Sequence, residues 1–183
     1  MKTTFKELVD TNRFGKNDPV NLNELAELSK REQITEQDEK VLFLGVDLQN
    51  DFMEGGALGV PGSFNDLENT LRFLYDNFEK ITHIAVSLDT HHIQQIFHAA
   101  WWVDEAGNHP EPLTIISAED VESGKWKAVK HQEESIAYVK ALEKSGQKQL
   151  CIWPYHCVEG TPGAALESQF SKFAHFHSFV HGQ

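Results

Sequence analysis

Three consecutive segments with the pattern strand, helix, strand restrict the fold more than any other feature of this chain. Residues 41–46 form a continuous apolar run of strand length, which is typical of a strand covered on both faces in a parallel sheet. Residues 64–78 carry apolar side chains on one helical stripe, with Ser63 placed to cap the helix. Residues 83–88 predict the next strand. We therefore expect a right-handed βαβ unit and an α/β fold with a mostly parallel sheet.

Weaker patterns on either side of this unit predict the other elements and the domain organisation. Residues 1–40 are polar and mixed in charge, so they are interpreted as an N-terminal extension of a main domain over residues 41–183. A length of 183 residues suits one such domain. Residues 89–130 are expected to be largely irregular. The sequence predicts further helices over residues 21–28 (with Asn21 as the cap), 117–122, 132–144 and 164–173, and further strands over residues 149–153 and 175–181.

The charge and composition of the chain exclude several classes of partner. Sixteen Lys and Arg against 28 Asp and Glu give a net charge of −12, which opposes binding to nucleic-acid phosphates and to anionic lipid. No apolar run approaches the roughly 18 residues that a membrane helix needs, and the first residues lack the apolar core of a signal peptide. Cys151 and Cys157 are too few for a disulfide framework. We expect a cytoplasmic protein that binds neither nucleic acid nor membranes.

Polar and metal-binding side chains follow the three strands that are predicted most strongly. Asp47 follows the first strand, Asp89 and His91 follow the second, and residues 153–157, which include His156, follow the third. Ligands of an open parallel sheet bind beyond the carboxyl ends of its strands. We therefore expect these side chains to meet at one edge of the sheet and to share one cavity.

The spacing of Asp89 and His91 suits a shared metal ion. Side chains two residues apart in an extended segment lie on the same face, about 6.6 Å apart at the backbone. His156 is a candidate third ligand and His98 a candidate fourth ligand. One carboxylate with two or three imidazoles suits Zn²⁺, Fe²⁺ or Mn²⁺. The alternative is a group of loop histidines that only make hydrogen bonds.

Asp47 and Cys157 are candidates for acid–base and nucleophilic chemistry. Asp47 follows a strand that is expected to be buried, where poor solvation would favour a general-base role; a turn or cap role is equally open. Cys157 is disfavoured as a nucleophile, because the neighbouring His156 points the opposite way in an extended segment and would be occupied by a metal. Cys151, inside a predicted strand, is interpreted as a packing residue.

Aromatic side chains lie next to two of these segments. Phe52 and Trp153 are expected to form walls of a pocket near the strand ends, because each of them flanks a segment with chemical side chains. For Trp101 and Trp102 we expect core packing, which is the commoner role of tryptophan.

Three segments together resemble the nicotinamidase branch of the isochorismatase-like cysteine hydrolases. They are residues 47–58 (DLQNDFMEGGAL), residues 87–91 (SLDTH) and residues 153–164 (WPYHCVEGTPGA), and they occur in the order of the family. The metal-binding side chains in the second and third segments favour the nicotinamidase branch over the plain isochorismatases. The resemblance implies a three-layer α/β fold with helices on both faces of the sheet.

The resemblance also implies an activity, the hydrolysis of nicotinamide or a similar aromatic amide to an acid and ammonia. A cysteine thiolate would attack the carboxamide, ammonia would leave, and water would hydrolyse the thioester. One divalent metal ion would hold the pyridine nitrogen of the substrate. The residues that match the family's site are Asp47 as the acid or base, Asp89, His91 and His156 as metal ligands, His98 as a less secure further ligand, and Phe52 and Trp153 as aromatic walls.

The sequence departs from the family's pattern after the metal segment. In the family, a helping Lys and the nucleophilic Cys come later in the chain, but residues 158–183 contain no Cys, and Lys172 lies on a predicted helix. The last strands of the family's sheet also have no counterpart. We therefore expect a fragment of a longer amide hydrolase. The alternatives are a non-catalytic metal- or ligand-binding relative and catalysis by Cys157 itself. An unpaired sheet edge would also favour a homo-oligomer.

Overall fold

Short helices and strands alternate along the chain in a computed structural model, which describes residues 1–35, 38–146 and 148–182. The α-helices in these ranges are α1 (Phe5–Leu8), α2 (Leu22–Ser29), α3 (Ser63–Asp76), α4 (Ala118–Glu122), α5 (Gln132–Lys144) and α6 (Ser168–His181). The strands in these ranges are β1 (Leu42–Gly45), β2 (His83–Val86), β3 (Trp102–Val103), β4 (Ile115–Ile116), β5 (Lys127–Ala128) and β6 (Leu150–Cys151).

The predicted βαβ unit is present, and the α/β class with a parallel sheet is confirmed. β1 pairs with β2 in parallel, and α3 connects them along the chain. The predicted stripe of α3 is buried, with Leu71 completely inaccessible. The predicted cap is wrong, because Gly62 precedes α3 and Ser63 is its first residue. The Ser63 hydroxyl instead accepts a hydrogen bond from the Glu54 amide at 2.8 Å.

The expectation that β1 is covered on both faces is wrong. Phe43 packs against the core, whereas Leu42 and Leu44 are each 60% exposed and Val46 is 56% exposed. Alternate residues of a strand point to opposite faces. The β1 side chains on one face of the sheet are therefore apolar and accessible.

The chain divides into two compact units, of which the first comprises Met1–Thr90 and Gly160–Gln183. Its core joins the inner face of α3 to α2 and α6, and Leu8 and Leu25 from the N-terminal residues are buried in it. The predicted cap of α2 is confirmed, because the Asn21 side chain accepts a hydrogen bond from the Glu24 amide at 3.2 Å. The domain boundary at residue 40 stays a prediction.

The second unit comprises His91–Glu159. It contains two antiparallel pairs, β3 with β5 and β4 with β6, around a core that includes Trp102 and Ile152. α4 and α5 lie where the sequence predicts helices, and Ser117 caps α4. The segment over residues 89–130 is largely irregular, as expected; besides α4 it contains three two-residue strands that the sequence does not predict.

Two predicted strands differ from the structure. β6 pairs antiparallel with β4, so the third predicted strand is not part of the parallel sheet. The predicted fourth strand over residues 175–181 is wrong, because these residues belong to α6. α6 also begins after the predicted start of the third helix at residue 164. Phe170, Phe173 and Phe176 are completely buried at helical spacing, which explains why a helix forms there. Three layers and missing C-terminal strands stay predictions.

None of the helices within the described ranges has the length and apolarity needed to span a bilayer.

Candidate metal centre

Backbone pairing in the second unit brings the segment around His156 next to His91. The His91 amide donates to the Cys157 carbonyl at 2.9 Å, and the Glu159 amide donates to the His91 carbonyl at 2.9 Å. His91 and Val158 therefore form a parallel bridge. This local pairing, rather than a shared edge of the parallel sheet, positions His156, so the expectation of one common sheet edge is wrong.

His91 and His156 lie side by side, with their ring centroids 4.8 Å apart. His156 is 5% exposed. Its Nδ1 donates to the Pro154 carbonyl at 2.8 Å, because a carbonyl oxygen only accepts. In the neutral ring the free lone pair is then on Nε2. A histidine in this tautomer can bind a metal through Nε2 while its Nδ1 is anchored to the backbone.

Asp89 completes a set of three ligand side chains. One ligand atom each from Asp89, His91 and His156 lies within 4.8 Å of the others. The role of these three side chains as metal ligands stays a prediction.

His98 is completely buried in the second unit. Its Nδ1 donates to the His92 carbonyl at 2.9 Å, while Nε2 is buried and has no hydrogen-bond partner among the described residues. Its ring centroid lies 6.0 Å from that of His91 and 6.4 Å from that of His156. Burial lowers the pKa of His98, and the neighbouring His91 and His156 lower it further. His98 is not one of the three converging side chains, and its role as a further ligand stays a prediction.

The donor set fits a divalent transition metal. One carboxylate and two imidazoles are the ligands of many zinc, iron and manganese sites that keep a coordination position open. The buried Nε2 of His98, which lacks a partner among the described residues, supplies an acceptor beside these histidines. A buried acceptor of this kind carries an energetic cost until a metal or a hydrogen-bond donor satisfies it.

Asp47 is placed differently from the sequence expectation. Its side chain is exposed, so the predicted poor solvation is wrong; the preceding residue, Val46, is also 56% exposed. The backbone of Asp47 has a φ of 59°, a conformation that Asp tolerates better than most residues. Its role as acid or base stays a prediction.

Both cysteines are free thiols. Cys157 is completely buried and holds a backbone φ of 46°, while its carbonyl accepts the amide hydrogen bond from His91. Cys151 is half-buried in β6. Burial of Cys157 is consistent with the interpretation that it packs rather than attacks, and catalysis by Cys157 stays an untested alternative.

The aromatic residues divide between core and surface. Trp102 is completely buried in the core of the second unit, as expected. Trp101 donates through its indole nitrogen to the Ser135 hydroxyl at 3.0 Å. Trp153 is 40% exposed, and its ring centroid is 6.5 Å from that of His156. Phe52 is buried in the first unit. Pocket walls formed by Phe52 and Trp153 stay a prediction.

Gln49 is a residue that the sequence analysis did not single out. It lies in the first of the three motif segments and is 1% exposed, and its side chain contacts the backbone of Asp89. A polar residue in a segment that follows a predicted strand is by itself only a weak indication of a functional role. Its partners are distant in sequence, so the sequence alone does not reveal them.

Comparisons with known proteins give one structural similarity. No family model matches the chain, and no curated protein matches it. Among solved structures, the chain is similar to a yeast nicotinamidase bound to the inhibitor nicotinaldehyde, with 24% sequence identity and a TM-score of 0.45. The match covers 73% of this chain and 50% of the yeast chain, so the chain spans half the length of that protein. A similarity of this size assigns neither family nor activity.

Proposed function

We propose that this chain binds one divalent metal ion through Asp89, His91 and His156, and that it is the metal-holding part of an amide hydrolase of the nicotinamidase type. The observation that carries the proposal is the convergence of one ligand atom from each of these three side chains within 4.8 Å. The motif resemblance in the sequence then selects amide hydrolysis among the activities that use such a metal.

Each residue of the proposed site has a separate role. The carboxylate and the two imidazoles hold the ion, and the hydrogen bond from His156 to the Pro154 carbonyl keeps the ring in the ligand tautomer. When bound, the ion would orient a neutral aromatic amide by its pyridine nitrogen. Asp47 would serve as the acid or base, and Phe52 and Trp153 would form aromatic walls for the substrate ring.

Metal binding is tested by titrating the purified protein with Co²⁺ and Zn²⁺ after treatment with a chelator. We expect a saturable site with one ion per chain and a cobalt absorption spectrum typical of nitrogen and oxygen ligands. His156→Ala should weaken binding by more than about 100-fold, because loss of an outer-shell partner alone costs about 10- to 100-fold.

His92→Ala is the matched control for the metal titration. His92 directly follows His91 in sequence, and it is exposed, with its Nδ1 3.4 Å from a Glu159 carboxylate oxygen. We expect this variant to bind metal like the unmodified protein. Equal losses in His92→Ala and His156→Ala, or no saturable binding at all, would contradict the proposed site.

The substrate class is tested with two amides that differ in one ring atom. Nicotinamide should perturb the cobalt spectrum of the loaded protein, whereas benzamide, which lacks the ring nitrogen, should not. Release of ammonia from nicotinamide would support hydrolysis by the chain itself. An identical spectral response to both amides would count against recognition through the ring nitrogen.

A second candidate function is non-catalytic binding of a metal or ligand. The complete burial of Cys157 favours it over hydrolysis by this chain alone. Metal and nicotinamide binding without ammonia release would support this second function, and iodoacetamide labelling of Cys157 that nicotinamide blocks would instead favour catalysis by that thiol.

A further inference from the structure

Gln49 is a buried amide that holds the backbone of Asp89 at two points. Its Nε2 donates to the Asp89 carbonyl at 2.8 Å, and its Oε1 accepts from the Asp89 amide at 2.7 Å. The same Nε2 also donates to the Ala164 carbonyl at 2.7 Å. One side chain therefore connects parts of all three motif segments inside the first unit.

The Gln49 side chain starts from a backbone that is itself held in place. The Asn50 amide donates to the Ala165 carbonyl at 2.9 Å, and the Glu167 amide donates to the Leu48 carbonyl at 2.9 Å. Gln49 consequently forms an antiparallel bridge with Leu166. Pairing on both sides of Gln49 fixes the origin of its side chain, so that its amide acts as a rigid support.

The two hydrogen bonds to Asp89 fix both peptide groups that flank this residue. With the amide and the carbonyl of Asp89 held, the direction of its Cα–Cβ bond is set, and only the two side-chain torsions remain to place the carboxylate. Glutamine is suited to this contact because a primary amide presents a donor and an acceptor in one plane. A glutamate at this position could accept from the Asp89 amide but, when ionised, could not donate to either carbonyl.

We propose that Gln49 is a positioning residue for the metal site, which acts by orienting Asp89 and does not contact the metal itself. This inference rests on the proposed function, because it gives Gln49 a role only if Asp89 is a ligand. It adds a prediction that the ligand set alone does not make: metal affinity depends on a side chain of the first motif segment.

The test first removes metal from the Gln49→Leu and Gln49→Glu variants with a chelator. It then measures their affinity for cobalt and their absorption spectra with cobalt bound. We expect the dissociation constant to rise by about 10- to 100-fold in both variants, as it does when an outer-shell partner is lost. We also expect the absorption bands to shift, because the carboxylate of Asp89 is no longer held in one orientation.

Gln169→Leu is the matched control. Gln169 is another buried glutamine of the first unit, and its Oε1 accepts from the Asp10 amide at 3.0 Å. This variant loses a side-chain to backbone hydrogen bond and should lose thermal stability, while its cobalt affinity and spectrum stay unchanged. Circular dichroism of the metal-free proteins identifies which variants fold. If Gln49→Leu does not fold, the test uses Gln49→Glu, which keeps the size of the side chain.

The outcomes separate the inference from the proposed function. No cobalt binding by the unmodified protein would overturn the proposed function. Binding by the unmodified protein together with unchanged affinity and spectrum in a folded Gln49 variant would overturn the inference alone. Equal losses of affinity in Gln49→Glu and Gln169→Leu would also overturn it, since a general loss of stability would then explain both.

Discussion

His177 is a buried imidazole near the end of α6, 2% exposed. Its Nε2 donates to the Ile81 carbonyl at 2.7 Å, and its ring stacks on that of His181 with 4.1 Å between centroids. Burial, with a smaller effect of the neighbouring His181 and His83, lowers the pKa of His177 from 6.5 to about 4, against the opposing effect of the hydrogen bond to the Ile81 carbonyl. Burial also lowers the pKa of His181. Burial therefore favours the neutral form of both stacked rings.

This arrangement predicts that acid destabilises the fold. The unfolded chain takes up a proton on His177 near pH 6.5, whereas folded His177 stays neutral down to about pH 4, so the free energy of unfolding falls as the pH falls through this window. Between pH 7 and pH 5 we expect a loss of about 2 kcal/mol from His177. Urea unfolding in the presence of a chelator measures it. His177→Gln, which keeps a donor for Ile81, should show a weaker pH dependence, and an unchanged dependence would contradict the assignment.

At the scale of elements, α6 begins at a buried carboxylate. Glu167 is completely inaccessible, and one carboxylate oxygen accepts from the amides of Gln169 at 2.8 Å and Phe170 at 3.0 Å. The other oxygen accepts from the Gly15 amide at 3.2 Å. The start of the helix and a segment of the N-terminal residues therefore depend on the same side chain, and the negative charge suits the positive end of the helix dipole.

Removal of this cap should cost more than removal of an exposed one. We expect Glu167→Ala to lower the free energy of unfolding by about 2–3 kcal/mol, because buried amides are left without an acceptor. Glu167→Gln keeps an acceptor oxygen and should lose less. Asn21→Ala, which removes the exposed cap of α2, is the control, with an expected loss of about 1 kcal/mol. Chemical unfolding of the three variants gives the comparison; similar losses for Glu167→Ala and Asn21→Ala would contradict it.

The sequence correctly predicts those helices and strands whose apolar residues follow a single pattern, helical or strand-like, over the whole element. α3 and α5 satisfy this condition, and so do β1 and β2. The strand predicted over residues 175–181 is wrong because Phe170, Phe173 and Phe176 recur at helical spacing and are completely buried, which favours the helix. Gly182, in the left-handed conformation that ends α6, was the missed signal.

The pairing of short strands could not be predicted from the sequence. β4 and β6 contain two residues each, which is too few for a pattern that selects a partner. The expectation of a common sheet edge therefore failed, although Asp89, His91 and His156 still converge. Their convergence depends on the backbone pairing of His91 with residues 157–159. These residues are far apart in sequence, and only the family resemblance of the three motif segments indicated that they lie close together.

The accessible face of the parallel sheet has a direct physical consequence. Leu42 and Leu44 point to one face of β1, and they and Val46, which directly follows β1, are each more than half exposed. A row of exposed apolar side chains favours association and the binding of apolar dyes. We propose that this face mediates the homo-oligomer expected from the sequence, and changing the face tests the proposal.

Introducing charge on this face should reduce association without unfolding the chain. We expect the double variant Leu42→Lys with Leu44→Lys to bind less anilinonaphthalene sulfonate and to sediment as a smaller species than the unmodified protein at the same concentration, because charged side chains disfavour burial of the face. Circular dichroism checks that the fold persists. Leu113→Lys is the control, since Leu113 is 62% exposed in the second unit and lies outside this face. A monomeric unmodified protein at all concentrations, with dye binding equal in all three proteins, would show that the face does not drive association.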